Sequence, residues 1–127
     1  VRSKTKTLID DLGKANERLK EASLLDPTRI HRDATIQRFE FCFELAWKTM
    51  QSYIRDEGLD CMSPRNCFRT AAQLDIIADP LTWFEYLESR NLIAHTYNES
   101  LANKVYEKAT SFPKELDSLI ERISKDH

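Results

Sequence analysis

Nine consecutive residues, Phe39-Glu40-Phe41-Cys42-Phe43-Glu44-Leu45-Ala46-Trp47, put seven apolar side chains around every side of whatever element they form. The chain has only two glycines, Gly13 and Gly58, and no alternating apolar–polar run, so the element is a helix. Phe39, Phe43, Ala46, Met50 and Ile54 make one stripe, which Phe41, Leu45 and Trp47 widen. A helix apolar all round must lie in the middle of a domain, covered by several neighbours or by a second subunit. Each of its large side chains contributes roughly 1.5–3 kcal/mol when fully buried.

The rest of the chain supplies those neighbours. From Thr5 to Ala22 the residues Leu8, Leu12, Ala15, Leu19 and Ala22 fall at steps of three and four, one stripe of a surface helix that Gly13 weakens. Asp26-Pro27, Ser63-Pro64 and Asp79-Pro80 each read as a capping side chain followed by proline in the first turn. They predict helices from Pro27 to about Glu57, with Gly58 as the left-handed residue after it, from Pro64 to about Leu74, and from Pro80 to about Ala94. A last helix is expected from about Ser100, kinked or divided at Pro113, where a backbone donor is missing. The expected fold class is all-α: an up-and-down antiparallel four-helix bundle with one additional short helix, dimerising, as a single domain over residues 1–127.

A net charge of −2 excludes a broad positive field, so any nucleic-acid contact must be a local basic pocket. No apolar run approaches the ~20 residues of a membrane span, and no signal-peptide pattern is visible. The three cysteines, Cys42, Cys61 and Cys67, are odd in number and lack metal-site spacing. Cys42 reads as a buried thiol, and the compartment implied is cytoplasmic.

Chemistry concentrates in Arg90-Asn91-Leu92-Ile93-Ala94-His95-Thr96-Tyr97, at the end of the fourth predicted helix. Arginine forks onto phosphate, and an imidazole moves a proton near neutral pH. Together they can stabilise a charged phosphorane and activate a ribose 2′-hydroxyl. Asn91 and His95 share a helix face, but Arg90 and His95, five residues apart, lie about 140° apart on an ideal helix. They converge only if the helix loosens near Ala94 or if two subunits contribute. The residues by themselves leave a structural role open, with Asn91 and His95 as capping groups and Arg90 paired to Glu88 or Glu40.

Arg90, His95 and Tyr97 together form R-x4-H-x-Y, which resembles the motif of HEPN-domain proteins, in the branch paired with minimal nucleotidyltransferases. The run from Arg38 to Lys48 is similar to that branch's other marked segment, and the order of helices matches nearly the whole chain. The resemblance implies a homodimer with the motif helices near its twofold axis, and a separately encoded nucleotidyltransferase as partner. It implies one of two roles. The first is the non-transferase, substrate-binding subunit of a two-component system. The second is a metal-independent ribonuclease toxin that cuts RNA through Arg90 and His95 and is silenced when AMP is attached to Tyr97. Asn91 would be a polar helper in either role. RNA or a nucleotide is the implied ligand, and no cofactor is expected.

Glu40, Glu44 and Lys48 stack at i, i+4 and i+8, which favours a Glu44–Lys48 pair and leaves either carboxylate available to orient Arg90 or His95. Without neighbouring ligands they define no metal site, and the chain has no nucleotidyltransferase-like acidic signature. Arg55, Arg65 and Arg69 read either as solvated side chains or as a small basic rim for RNA or a partner. Trp47 and Trp83 read as core residues rather than base-stacking platforms. His31 and His127 have no clustered companions.

Overall fold

The computed structural model describes residues 1–125, so His127 and the end of the expected domain lie outside it. Five α-helices follow one another: α1 (Ser3–Ser23), α2 (Arg29–Asp56), α3 (Pro64–Gln73), α4 (Pro80–Leu92) and α5 (Glu99–Lys125), with one 3-10 turn, Ile93–His95, after α4. Thr5 meets Ser52 and Arg18 meets Arg38 across α1 and α2, so these two run antiparallel. Tyr86 meets Ser111, and Lys108 meets Glu85, across α4 and α5. The all-helical bundle expected from the sequence is the observed fold.

The helix limits follow from capping chemistry. Ser63 and Asp79 accept from the N–H groups of Asn66 and Thr82, as their Ser-Pro and Asp-Pro pairs predict. Asp26-Pro27 departs from the pattern, because Thr28 is the cap, its hydroxyl accepting from His31 N–H at 3.2 Å. The carbonyl of Asp26 instead lies 2.7 Å from His31 Nδ1. Helix α2 ends as expected at Gly58, whose φ of +83° suits glycine. There Leu59 N–H reaches back to the Ile54 carbonyl. Helix α3 ends on the same device with Asp75 at φ 61°, a left-handed end that no glycine announced. Ion pairing to Arg122, at 3.1 Å, holds the Asp75 carboxylate there.

Pro113 does not divide α5, which runs unbroken through it. Proline removes one ladder bond, but Phe112, Pro113 and Leu116 are all buried, so packing holds the helix across the gap. The neighbouring carbonyl is used as well, the Pro113 oxygen accepting from Asn16 Nδ2.

The core is an aromatic cluster from four helices. Phe112 of α5 packs edge-on to Phe39 and lies 4.6 Å from Tyr86 and 5.3 Å from Trp83, between ring centroids. Phe43 meets Phe68 of α3 edge-on at 5.9 Å. The stripe Phe39, Phe43, Ala46, Met50, Ile54 is buried throughout. Its widening residues are not: Phe41 is 64% exposed, and Leu45 and Trp47 are half-buried. Trp47 packs against the edge of the core, partly buried, whereas Trp83 lies fully within it. The Trp47 Nε1–H is held by Glu44 at 3.0 Å.

Cys42 is a buried thiol as expected, its pKa pushed up to about 12 by burial. Cys61 and Cys67 are joined by a disulfide, which their spacing did not announce. It clasps the α2–α3 loop onto the start of α3, and it removes that pair from the cysteine-based argument for a cytoplasmic home.

Gly13 lies within α1 with nothing within 4 Å of where a Cβ would stand. Gly13→Ala should therefore raise stability by about 0.5–1 kcal/mol in chemical denaturation. A loss of stability would show that α1 does not tolerate a side chain at this position.

Candidate RNA and phosphate site at the end of α4

The motif sits where α4 ends. After Leu92 the helix tightens into the 3-10 turn Ile93–His95, and the Thr96 hydroxyl donates to the Ile93 carbonyl at 2.8 Å. Asn98 then caps α5, its side-chain oxygen accepting from Leu101 N–H at 3.1 Å. In place of the loosening expected near Ala94 the chain leaves α geometry for a tighter turn, and the cause is local: Thr96 and Asn98 offer the backbone polar partners that an α-helix would not use.

Arg90 turns inward. Its guanidinium stands 5.3 Å from the centre of the Phe43 ring, and Nη1 contacts Glu44 Oε1 at 2.7 Å. Glu44 is therefore the carboxylate that orients Arg90, in place of Glu88 or Glu40. Its second oxygen accepts from the Trp47 indole. With both oxygens engaged, Glu44 makes no ion pair to Lys48 among the described residues. The Nε of Arg90 is buried with no hydrogen-bond partner. Holding that guanidinium between a ring and a carboxylate fixes its direction, and its side chain remains 28% exposed.

His95 and Tyr97 point the other way, into solvent. Both are exposed, and their rings meet edge-on with centroids 6.2 Å apart. Asn91 is exposed on α4 and Glu40 on α2, where Glu40 lines a shallow hollow with Glu44, Phe41 and Lys48. No hydrogen bond or ion pair joins Arg90 to His95 among the described residues. One helix end thus carries a fixed arginine, an accessible imidazole and a freely accessible phenol. No group of three or more potential metal-binding side chains occurs among the described residues.

Sequence reasoning missed what locks this end in place. Arg32 of α2, 7% exposed, donates to Glu99 at 2.7 Å and to Asn103 at 3.2 Å, so the first turn of α5 is tied to the first turn of α2. Tyr97 lies two residues before that tie. The signal was the charge pattern Arg29-x-x-Arg32, but no spacing along the chain links it to Glu99. The other arginines singled out are divided: Arg55 pairs with Asp60 at 2.8 Å, while Arg65 and Arg69 each stand 5.3 Å from the Phe84 ring centre. His31 serves the turn before α2.

Arginine, histidine and tyrosine at R-x4-H-x-Y spacing on an all-α bundle are what the resemblance to HEPN-domain proteins implies. The comparisons agree: residues 7–125 match the family described as nucleotidyltransferase substrate binding protein like, and the chain belongs to that family. It is 31% identical over 93 residues to a Haemophilus influenzae protein named "Probable ribonuclease HepT", across 69% of this chain and 64% of that protein's length. A crystal structure of a Thermus thermophilus protein superposes with a TM-score of 0.83 at 36% identity, over 87% of this chain and 97% of that one. A second structure, from Haemophilus influenzae and described as revealing the fold of a substrate binding domain of a nucleotidyltransferase, superposes at 0.81 with 24% identity. It covers 91% of this chain and 98% of that one, and at that identity it speaks for the fold.

The Arg32–Glu99 tie has a pH signature. The hydrogen bond from Arg32, followed by its charge, holds the Glu99 carboxyl below its ordinary value of 4.5. A lowered pKa means that the stabilisation is complete above about 4.5 and is lost as the pH falls through the lowered value. Glu99→Gln should therefore melt below the parent at neutral pH and approach it on acidification. A gap in melting temperature that stays constant down the same acid series would count against the tie.

Proposed function

We propose that this chain is the helical, non-transferase subunit of a two-component nucleotidyltransferase system, and that its Arg90–Tyr97 end receives a phosphate-bearing RNA ligand. The observation that carries this reading is Arg90 itself. Phe43 and Glu44 hold its guanidinium in one direction, and its buried Nε is a donor without a hydrogen-bond partner. A fixed planar cation suits a phosphate oxygen pair better than a mobile lysine would. Family membership supports a nucleotidyltransferase partner. The exposed Phe41 beside half-buried Leu45 on the outer face of α2 supports a homodimer, in which a second copy would cover that face. A cytoplasmic location goes with an RNA ligand and a nucleotide-using partner.

The second reading is a ribonuclease, favoured by the accessible His95 and by the name of the Haemophilus influenzae relative. In it, His95 takes the proton of a ribose 2′-hydroxyl, and that oxygen attacks the adjacent phosphorus. The 5′-oxygen then leaves and picks up a proton, giving a 2′,3′-cyclic phosphate end. Arg90 would hold the phosphorane charge. In one subunit Arg90 and His95 engage separate partners, so this chemistry calls for RNA to draw them together or for the second copy to supply one of them.

Incubation of the purified chain with RNA in EDTA decides between the readings. Cleavage that disappears in His95→Ala and Arg90→Ala establishes the nuclease. RNA binding without cleavage, weakened by Arg90→Ala, establishes the binding subunit. If neither binding nor cleavage occurs, both readings fall.

Tyr97 is 84% exposed and so open to modification. After incubation with the nucleotidyltransferase partner and ATP, the intact mass should rise by one or more AMP units, and the increase should vanish in Tyr97→Phe. Modification that persists in Tyr97→Phe would remove this residue from the regulatory role.

A further inference from the structure

Cys61 and Cys67, six residues apart, are joined by a disulfide that closes the loop between α2 and α3 onto the first turn of α3. Cys42 is a buried free thiol on α2. In a chain whose proposed ligand and partner are cytoplasmic, a permanent disulfide brace is out of place. Cytoplasmic thiol pools reduce disulfides, and those found there are mostly transient or redox-sensing.

Other bonds hold the same segment. A ring closed over so few residues removes less chain entropy than a long one. Gln51 Nε2 donates to the Cys61 carbonyl at 2.6 Å, and Asp60 accepts from both Cys61 N–H and Arg55 Nε at 2.8 Å. Ser63 caps α3, and Cys67 N–H donates to the Ser63 carbonyl at 2.9 Å. None of these bonds involves sulfur, so they keep the two thiols side by side after reduction, ready to close again.

Both cysteines are buried, but Leu59 and Met62 beside Cys61 are exposed. Opening this short surface loop bares the Cys61 sulfur without unfolding the bundle, and such loops open at the low end of the stability range. Cys67 stays on its helix.

The disulfide reaches the core through the next residue. The Phe68 ring meets Phe43 edge-on at 5.9 Å and lies 5.5 Å from Trp83, and the Phe43 ring carries the Arg90 guanidinium. Helix α3, ten residues long, is the shortest of the five, and short helices rely on tertiary ties.

We propose that Cys61 and Cys67 are a site of reversible thiol–disulfide exchange, which in its closed form seats Phe68 against the ring that carries Arg90. The opening reagent is a dithiol. One of its thiolates attacks the Cys61 sulfur to form a mixed disulfide, and Cys67 leaves as a thiolate that takes up a proton. The second thiol of the reagent then displaces Cys61. Two electrons and two protons pass to the pair, and the reagent becomes a disulfide. Glutathione disulfide closes the pair by the reverse exchange and leaves as two molecules of glutathione.

Equilibration of the purified chain in glutathione buffers of graded thiol-to-disulfide ratio tests the proposal. After acid quenching, unfolding and alkylation, intact mass should show one labelled thiol, Cys42, in oxidising buffers and three in reducing ones. Without denaturant, the same end point should be reached from either starting form. Trp47→Phe leaves Trp83 as the sole tryptophan, and its emission should shift on reduction and return on reoxidation. Hydrogen exchange over residues 58–69 should quicken about tenfold in the reduced form, one ~1.4 kcal/mol step of local opening, with α1 unchanged. Cys61→Ser should hold the reduced-form values in every buffer, with circular dichroism checking its fold. A pair that stays closed across the series and opens only in denaturant is a permanent brace, and a pair that never closes is two free thiols. Either outcome overturns the proposal, as does exchange that leaves Trp83 emission and α3 unchanged. The choice of reagents rests on the cytoplasmic location proposed above; the readouts use neither RNA nor the partner enzyme, so an RNA result in either direction leaves them standing.

Discussion

The aromatic cluster around Phe112 is the contact on which the rest of this bundle depends. Rings from α2, α3, α4 and α5 meet there, with Phe39, Phe43, Phe68, Trp83 and Tyr86 within 6.3 Å of a neighbouring ring centre. Such contacts add about 0.5–1.5 kcal/mol per pair beyond the area that they bury. They also set geometry. With Phe43 locked between Phe68 and Phe112, its buried ring becomes a fixed platform, and the guanidinium of Arg90 settles over it. The motif arginine is aimed by the core.

Glu44 then distributes that order. One carboxylate answers Arg90 with one oxygen and Trp47 with the other, so two surfaces of α2 share a single anchor. The local i, i+4 rule favours Lys48 by a few tenths of a kcal/mol. The observed choice follows from desolvation: Arg90 is largely enclosed and its charge is costly without a counter-ion, whereas Lys48 reaches water. The partly exposed position of the Arg90–Glu44 pair, 28% and 34% by side chain, keeps its contribution to stability modest, and its effect is positional.

Some departures from expectation have the same origin, a tertiary contact outweighing a local rule. Pro113 should interrupt a helix, but α5 buries the residues on either side of it and stays whole. Asp26-Pro27 matches a capping pattern, but the Thr28 hydroxyl lies closer to the helix and takes the role. Phe41 looks like core by composition and faces outward instead, because α2 has an uncovered side.

What the chain by itself determined is the set of elements and the identity of the motif. Apolar stripes at helical period, Ser63-Pro64, Asp79-Pro80 and Gly58 mark helices through bonds between near neighbours, and such bonds are written in local order. That the helix ends near Ala94 was legible for that reason too, since Thr96 and Asn98 act within a few residues. Only the tertiary structure decided which partner each charge would take. Arg90 with Glu44, Arg32 with Glu99, and Cys61 with Cys67 depend on how α2, α3, α4 and α5 pack and on which charges that packing removes from water. The same packing turns Arg90 inward and leaves His95 and Tyr97 outside, so three residues that read as one cluster along the chain face two different environments.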